Sequence, residues 1–239
     1  MDQSTSLSAH ARRTRAITLV GLAVLATAIA VFGPVDTVLK MLSMPMREPG
    51  WYVWVATFNG VALLTVAALP LAALAVWALA RRRSAAGSTS AWRMSLAEVG
   101  IVYGTVPWVW ITMLPGEGAG VVPGRVSLVP LRDLIAILDD GATGQIVGNL
   151  LVFVALGFLA PLRFAALASV PRILALAAGC SVLIEVAQYV LRLDRVSSVD
   201  DVLLNAAGAG LAALASRRWW RAAAGTSSDR PRPAPVPGR

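Results

Sequence analysis

The sequence is poor in the residues that most enzyme chemistry relies on. Its 239 residues include one cysteine and one histidine. Cys180 has no second cysteine to pair with, so cysteine usage says nothing about the redox compartment. It lies in an apolar stretch and reads as a small buried hydrophobe. One His and one Cys do not make a zinc site. His10 sits in the polar N-terminal stretch, so a Ser-His-Asp triad has no imidazole in the apolar part of the chain. Neither a Walker phosphate loop nor a dinucleotide-binding glycine fingerprint occurs, which argues against ATP-driven work. No aromatic-interleaved basic patch is present, so nucleic acid is not an expected partner. No metal and no cofactor are expected.

Charge is scarce as well. Only 14% of the residues are Asp, Glu, Lys or Arg and 57% are hydrophobic, whereas a soluble domain carries about 25% charged residues. Mean hydropathy is +0.69. The apolar residues fall in long blocks, not amphipathic stripes, and blocks of roughly 20 residues match a hydrocarbon core about 30 Å thick. The expected fold is therefore all-α, a polytopic transmembrane helical bundle of about six spans. The blocks are 17–33, 51–79, 96–114, 146–162, 173–191 and 199–214. Ala28-Ile29-Ala30 also resembles a small-residue cleavage site, so the first block reads either as a signal peptide or, preferably, as an uncleaved helix, since further spans follow. Pro70 is expected to kink the second block. The long Gly-, Pro- and acid-rich loop after the third block contains Val126 to Leu138, too polar to span and read as re-entrant or interfacial. Three regions follow: 1–95, a cytosolic tail and two helices; 96–216, a four-helix membrane domain; and 217–239, a basic, Pro-rich, disordered tail.

The net charge of +8 is read as orienting the helices and attracting anionic lipid. With the N-terminus inside, 15 Lys and Arg fall on the inner side and 6 on the outer. This split follows the positive-inside rule and makes both termini cytoplasmic.

That orientation gathers polar residues toward the outer leaflet. Asn149 opens the fourth span, Glu185 and Gln188 lie near the outer end of the fifth, and Asp200, Asp201 and Asn205 open the sixth. Arg192 and Arg195 occupy the turn between the last two. Glu185 sits about 9 Å below its helix end at 1.5 Å per residue and needs a compensating partner, either Arg192, Arg195 or a proton. Asp200 and Asn205 fit two readings equally, helix capping and bridging or ligand contact. Glu98 falls at the opposite, cytoplasmic end and reads as interfacial. Gly148, Gly157, Ala175, Gly179, Ala206, Gly208 and Gly210 allow close helix approach.

Several of these segments resemble the VanZ-like family. RVSSVDDVLLNAAGAG (195–210) is similar to the family's closing motif of an Arg followed by Asp-Asp, Leu-Leu-Asn and Gly. IEVAQ (184–188) resembles its Glu-x-x-Gln helix, GNLLVFVALGFLAPL (148–162) its Asn-x-x-x-Phe-x-Pro-x-Gly helix, and SLVPL (127–131) its lead-in segment. Ala155 stands where the family commonly has Pro, which predicts a straighter fourth span here. The resemblance implies a multi-pass protein of the bacterial plasma membrane and cell envelope. It also implies a link to teicoplanin resistance, the property associated with the family's namesake.

Three functions are compatible with these residues. The first is a non-enzymatic protein that engages an envelope lipid, a lipid-linked precursor or a lipidated ligand through Asn149, Glu185, Gln188, Arg195, Asp200, Asp201 and Asn205. The second is an enzyme acting on a lipid-linked phosphate or sugar, with Glu185 and Asp201 as the catalytic candidates. The third is a small transporter with Glu185 as proton carrier, disfavoured because no inverted repeat is evident. The first is preferred.

Overall fold

The computed structural model describes residues 54–228, and these are mostly helical, with two three-residue strands. Helix α1 (Phe58–Ala67) and helix α2 (Leu69–Ala85) meet at Ala68 with a bend of 42°. Pro70, in the first turn of α2, has no N–H to continue the ladder from α1, so the break falls beside it as expected. Thr57 caps α1 by accepting from the Gly60 N–H at 3.0 Å. Helix α3 (Ala91–Thr112) follows a short turn at Gly87, whose φ of +83° suits glycine.

Four helical segments are long and apolar enough to cross a membrane: Ala91–Thr112, Thr143–Arg163, Val170–Val190 and Val199–Arg221. The bent α1–α2 pair adds a fifth if it is one span. The expected span at 17–33 lies outside the described residues. Leu71, Leu74, Val102, Leu183, Val190 and Leu211 are all at least half exposed, an apolar exterior suited to lipid contact.

The loop after α3 holds no re-entrant helix of spanning length. Strand β1 (Arg125–Ser127) leads to a short helix, α4 (Arg132–Asp139). Leu128, Val129, Leu131, Ile135 and Leu138 are exposed in this stretch, which fits an interfacial position. The fourth span is two helices, α5 (Thr143–Leu151) and α6 (Val154–Arg163). The two nevertheless form one candidate span, Thr143–Arg163, with only a local break at Val152–Phe153. The Val152 N–H bonds Asn149, three residues back, and the regular ladder resumes when the Gly157 N–H reaches Phe153. Helix α7 (Val170–Val190) and helix α8 (Val199–Ser228) complete the bundle, joined by strand β2 (Val196–Ser198). Strand β2 pairs in parallel with β1, Arg125 opposite Val196 and Ser127 opposite Ser198. Helix α8 does not stop at Leu214. It runs through Arg217–Arg221 into the segment expected to be a disordered tail, where Ala222–Ala224 favour helix.

Small side chains set the helix spacing. The core comprises Val152, Phe153, Ala160, Ile173, Ala177, Ile184, Ala206, Ala209 and Ala213. A Cβ on Gly157 would lie 2.2 Å from the Ala209 carbonyl oxygen, and one on Gly208 would lie 1.9 Å from that of Leu150. Helix α8 therefore packs backbone to backbone on α5 and α6. Gly148 and Gly179, expected to serve the same purpose, face open space.

Candidate ligand site

Four helix ends meet at one end of the bundle. They are the C-termini of α3 and α7 and the N-termini of α5 and α8. Three of them bring polar pairs at helical spacing: Gln145 and Asn149 on α5, Glu185 and Gln188 on α7, Asp201 and Asn205 on α8. Residues three or four apart share a helix face. These six line one open cavity of about 440 Å³, together with Thr112, Arg125, Asp194 and Arg195.

Buried hydrogen bonds fix the wall. Glu185 is 8% exposed. Its Oε2 accepts from the Ser198 N–H at 3.0 Å, and its backbone carbonyl accepts from the Ser197 hydroxyl at 2.9 Å. Strand β2 thus locks the glutamate from the following turn. Gln188 donates from Nε2 to the Thr112 carbonyl at 2.9 Å, satisfying one of the carbonyls left open at the end of α3. Asn149 donates from Nδ2 to Asp201 Oδ1. Asn205, 2% exposed, donates from Nδ2 to Ser181 Oγ at 2.7 Å. Its Oδ1 is buried and has no hydrogen-bond partner among the described residues. Leaving such an acceptor unpaired costs about 1–3 kcal/mol.

The arginines expected to compensate Glu185 do not touch it. Arg192 ends α7 in the left-handed region, at φ +51°, and its carbonyl accepts from the Gly120 N–H at 2.9 Å. Arg195 is exposed at the cavity mouth and donates Nε and Nη2 to the Leu114 carbonyl, each at 3.3 Å. Its charge still acts on both Glu185 and Asp201, and the Asp201 charge acts on Glu185. Among the described residues neither carboxylate forms an ion pair.

Asp200 is not a cavity residue. It is 2% exposed and turned to the other side of the α8 N-terminus. Its oxygens accept from the N–H groups of Leu131 at 2.6 Å and of Asp133 and Leu134 at 3.0 Å. It therefore caps α4 from across the fold, and Leu131 adopts φ +67° to allow this. Ser198 extends the link, accepting from the Asp200 N–H and donating to Asp133 at 2.5 Å. That hydrogen bond holds the Asp133 carboxyl below the usual carboxylate range.

Sequence reasoning missed Arg125, Gln145 and Asp194. Gln145 lies one turn before Asn149 and was lost because α5 begins earlier than its apolar block. Arg125 opens a three-residue strand and Asp194 lies in a turn, both too short to show a period. They pair at 3.4 Å, and Asp194 also accepts from the Gly118 N–H at 3.0 Å. Nothing in the local sequence signals that these segments meet.

The opposite end of the bundle is built differently. Glu98 on α3 receives Arg83 from α2 at 2.5 Å and Arg163 from the end of α6. Arg83 also donates to Ser95 at 2.8 Å. Glu98 is thus an ion-paired junction of three helices, more than the interfacial acid expected.

Among the described residues no group of three His, Cys, Asp or Glu side chains is arranged to hold a metal. A family model described as VanZ/LLP1 matches residues 101–220, half of the chain. No curated protein and no solved structure matches it.

Proposed function

The chain belongs to the VanZ/LLP1 family, and from that premise we propose that it binds the polar headgroup of an envelope lipid, or of a lipidated ligand, at the outer leaflet of the bacterial plasma membrane. The observation that carries this reading is the polar cavity at the end of an otherwise apolar bundle. A purely structural polar cluster would close on itself, whereas this one is open and leaves the Asn205 oxygen unpaired. The apolar flanks give a lipid tail a place beside the headgroup.

Charge distribution supports the orientation. Arg81, Arg82, Arg83, Arg93, Arg163 and Arg172 lie toward the Glu98 end of the helices. By the positive-inside rule that end is cytoplasmic and the cavity faces outward. A membrane-impermeant maleimide should label Asp139→Cys from outside intact cells and not Ser88→Cys, both in a Cys180→Ala background. The reverse pattern would invert the assignment.

Teicoplanin carries an acyl chain and acts at the outer face on lipid-linked wall precursor, so a headgroup site there supports a contribution to resistance. Deletion should lower the inhibitory concentration of teicoplanin and overexpression should raise it. An unchanged value in both strains rejects the resistance role.

One observation favours a second reading. Glu185 and Asp201 share a single cavity, as acid–base catalysis of a lipid-linked phosphate or sugar would need. Purified protein that turns over polyprenyl phosphates, with turnover lost in Glu185→Gln, would establish an enzyme. Binding without turnover retains the first reading.

A further inference from the structure

The buried part of the cavity wall carries two carboxylates, and the guanidinium groups sit nearer its mouth. Three of the four side-chain amides that line it each commit one donor within the protein: Asn149 to Asp201, Gln188 to Thr112, and Asn205 to Ser181. Deeper in the site are the carboxylates of Glu185 and Asp201 and the unpaired Asn205 Oδ1. Arg125 is paired with Asp194. Arg195 uses two of its N–H groups on the Leu114 carbonyl and has three of its five donors left.

Resting on the lipid-binding reading above, we infer that this site selects a headgroup with a primary ammonium, seated among Glu185, Asp201 and Asn205 Oδ1, and with its phosphate at Arg195. An ammonium brings three N–H donors and one positive charge. That matches two carboxylates without an ion pair and one amide oxygen without a donor. A quaternary ammonium fits poorly, because it has no N–H for Asn205 and is normally held by aromatic faces. Among the described residues no aromatic side chain lines the cavity. An anionic headgroup without an amine would set its charge against both carboxylates. The zwitterion matches the depth order, with acceptors buried and the guanidinium exposed.

The test uses the full chain in detergent and short-chain phospholipids with identical dihexanoyl tails. Isothermal titration compares the ethanolamine, N-methyl, N,N-dimethyl and choline headgroups, with glycerol as the amine-free control. Because the protein is unchanged across this series, folding cannot confound it. Affinity should fall stepwise with methylation and be about tenfold weaker for choline and for glycerol than for ethanolamine, a difference of about 1.4 kcal/mol. Glu185→Gln and Asn205→Leu should each remove most of that preference, with melting temperature recorded for both. Equal affinity for all five headgroups that these variants nonetheless abolish would overturn the amine assignment and leave lipid binding standing. Lipid affinity that neither variant alters would overturn both. Free phosphoethanolamine binding as tightly as its lipid would keep the amine assignment and overturn the lipid reading. Calcium chloride displacing the ethanolamine lipid one-for-one, with no headgroup preference, would make the site a cation site and overturn the amine.

Discussion

At one end of the bundle Glu98 lies between Arg83 and Arg163. At the other, Glu185 and Asp201 face a cavity with no ion pair among the described residues. Helix α3 reaches both ends, with Glu98 near its start and Thr112 at its finish. The Glu98 cluster gives each charge a partner within the fold and ties three helices together. The cavity end gives its acids only partial compensation through Ser198, Asn149 and the more distant Arg195. Buried groups left short of partners cost stability, and proteins accept that cost chiefly where a ligand completes them.

The largest expected effect separates the helices that carry the cavity. Gly208→Ala sets a methyl 1.9 Å from the Leu150 carbonyl oxygen, forcing α8 away from α5. The cost should be about 3 kcal/mol or more, read as a large drop in melting temperature together with loss of cavity binding. Gly148→Ala has nothing within 4 Å and should change stability by no more than about 0.5 kcal/mol. Equal behaviour of the two variants would refute the close approach of α5 and α8.

The next effect separates the ends. Glu98→Gln leaves Arg83 and Arg163 facing each other without a counter-charge. The cluster is partly exposed, with side chains 23–27% accessible, so the cost should be about 1–3 kcal/mol. Lipid binding at the far end should be unchanged. At the cavity, Glu185→Gln keeps an acceptor for the Ser198 N–H and relieves repulsion from Asp201. Its melting temperature should match or exceed that of the parent, with any loss under about 1 kcal/mol, while binding of an amine-bearing lipid collapses. A Glu185→Gln protein as destabilised as Glu98→Gln would mean that both acids are structural.

These contrasts also mark what the sequence could and could not disclose. Helix positions were legible because apolar block length measures membrane thickness, and Pro70 announced its own bend. The cavity was partly legible, since Glu185 with Gln188 and Asp201 with Asn205 share helix faces by spacing alone. Asp200 and Asp201 were not separable. They are chain neighbours at a helix N-terminus, about 100° apart around the axis, and only the fold reveals that one caps α4 while the other lines the cavity. The break at Val152 was hidden because it has no proline, and the Arg125–Asp194 pair because a three-residue strand and a turn are too short to show a period. Gly208 and Gly148 look alike in sequence, yet only one meets a backbone.

The smallest effect tests how the strap formed by β1 and α4 (125–139) is held. Asp133 accepts a 2.5 Å hydrogen bond from Ser198, which holds its carboxyl below the usual carboxylate range. A depressed folded pKa means that Asp133 adds stability above its unfolded value of about 3.9, and that this contribution fades as pH falls through the folded value. From pH 5 to 8 it should be constant. The group is only partly buried, so Asp133→Asn should cost under about 1 kcal/mol at pH 7, a melting shift of about 1–3 °C. That shift should shrink as pH falls below about 3.9, where the unfolded chain binds a proton that the folded carboxylate still resists. A difference that grows toward low pH would show that Asp133 is held protonated, and that the strap resembles neither end of the bundle.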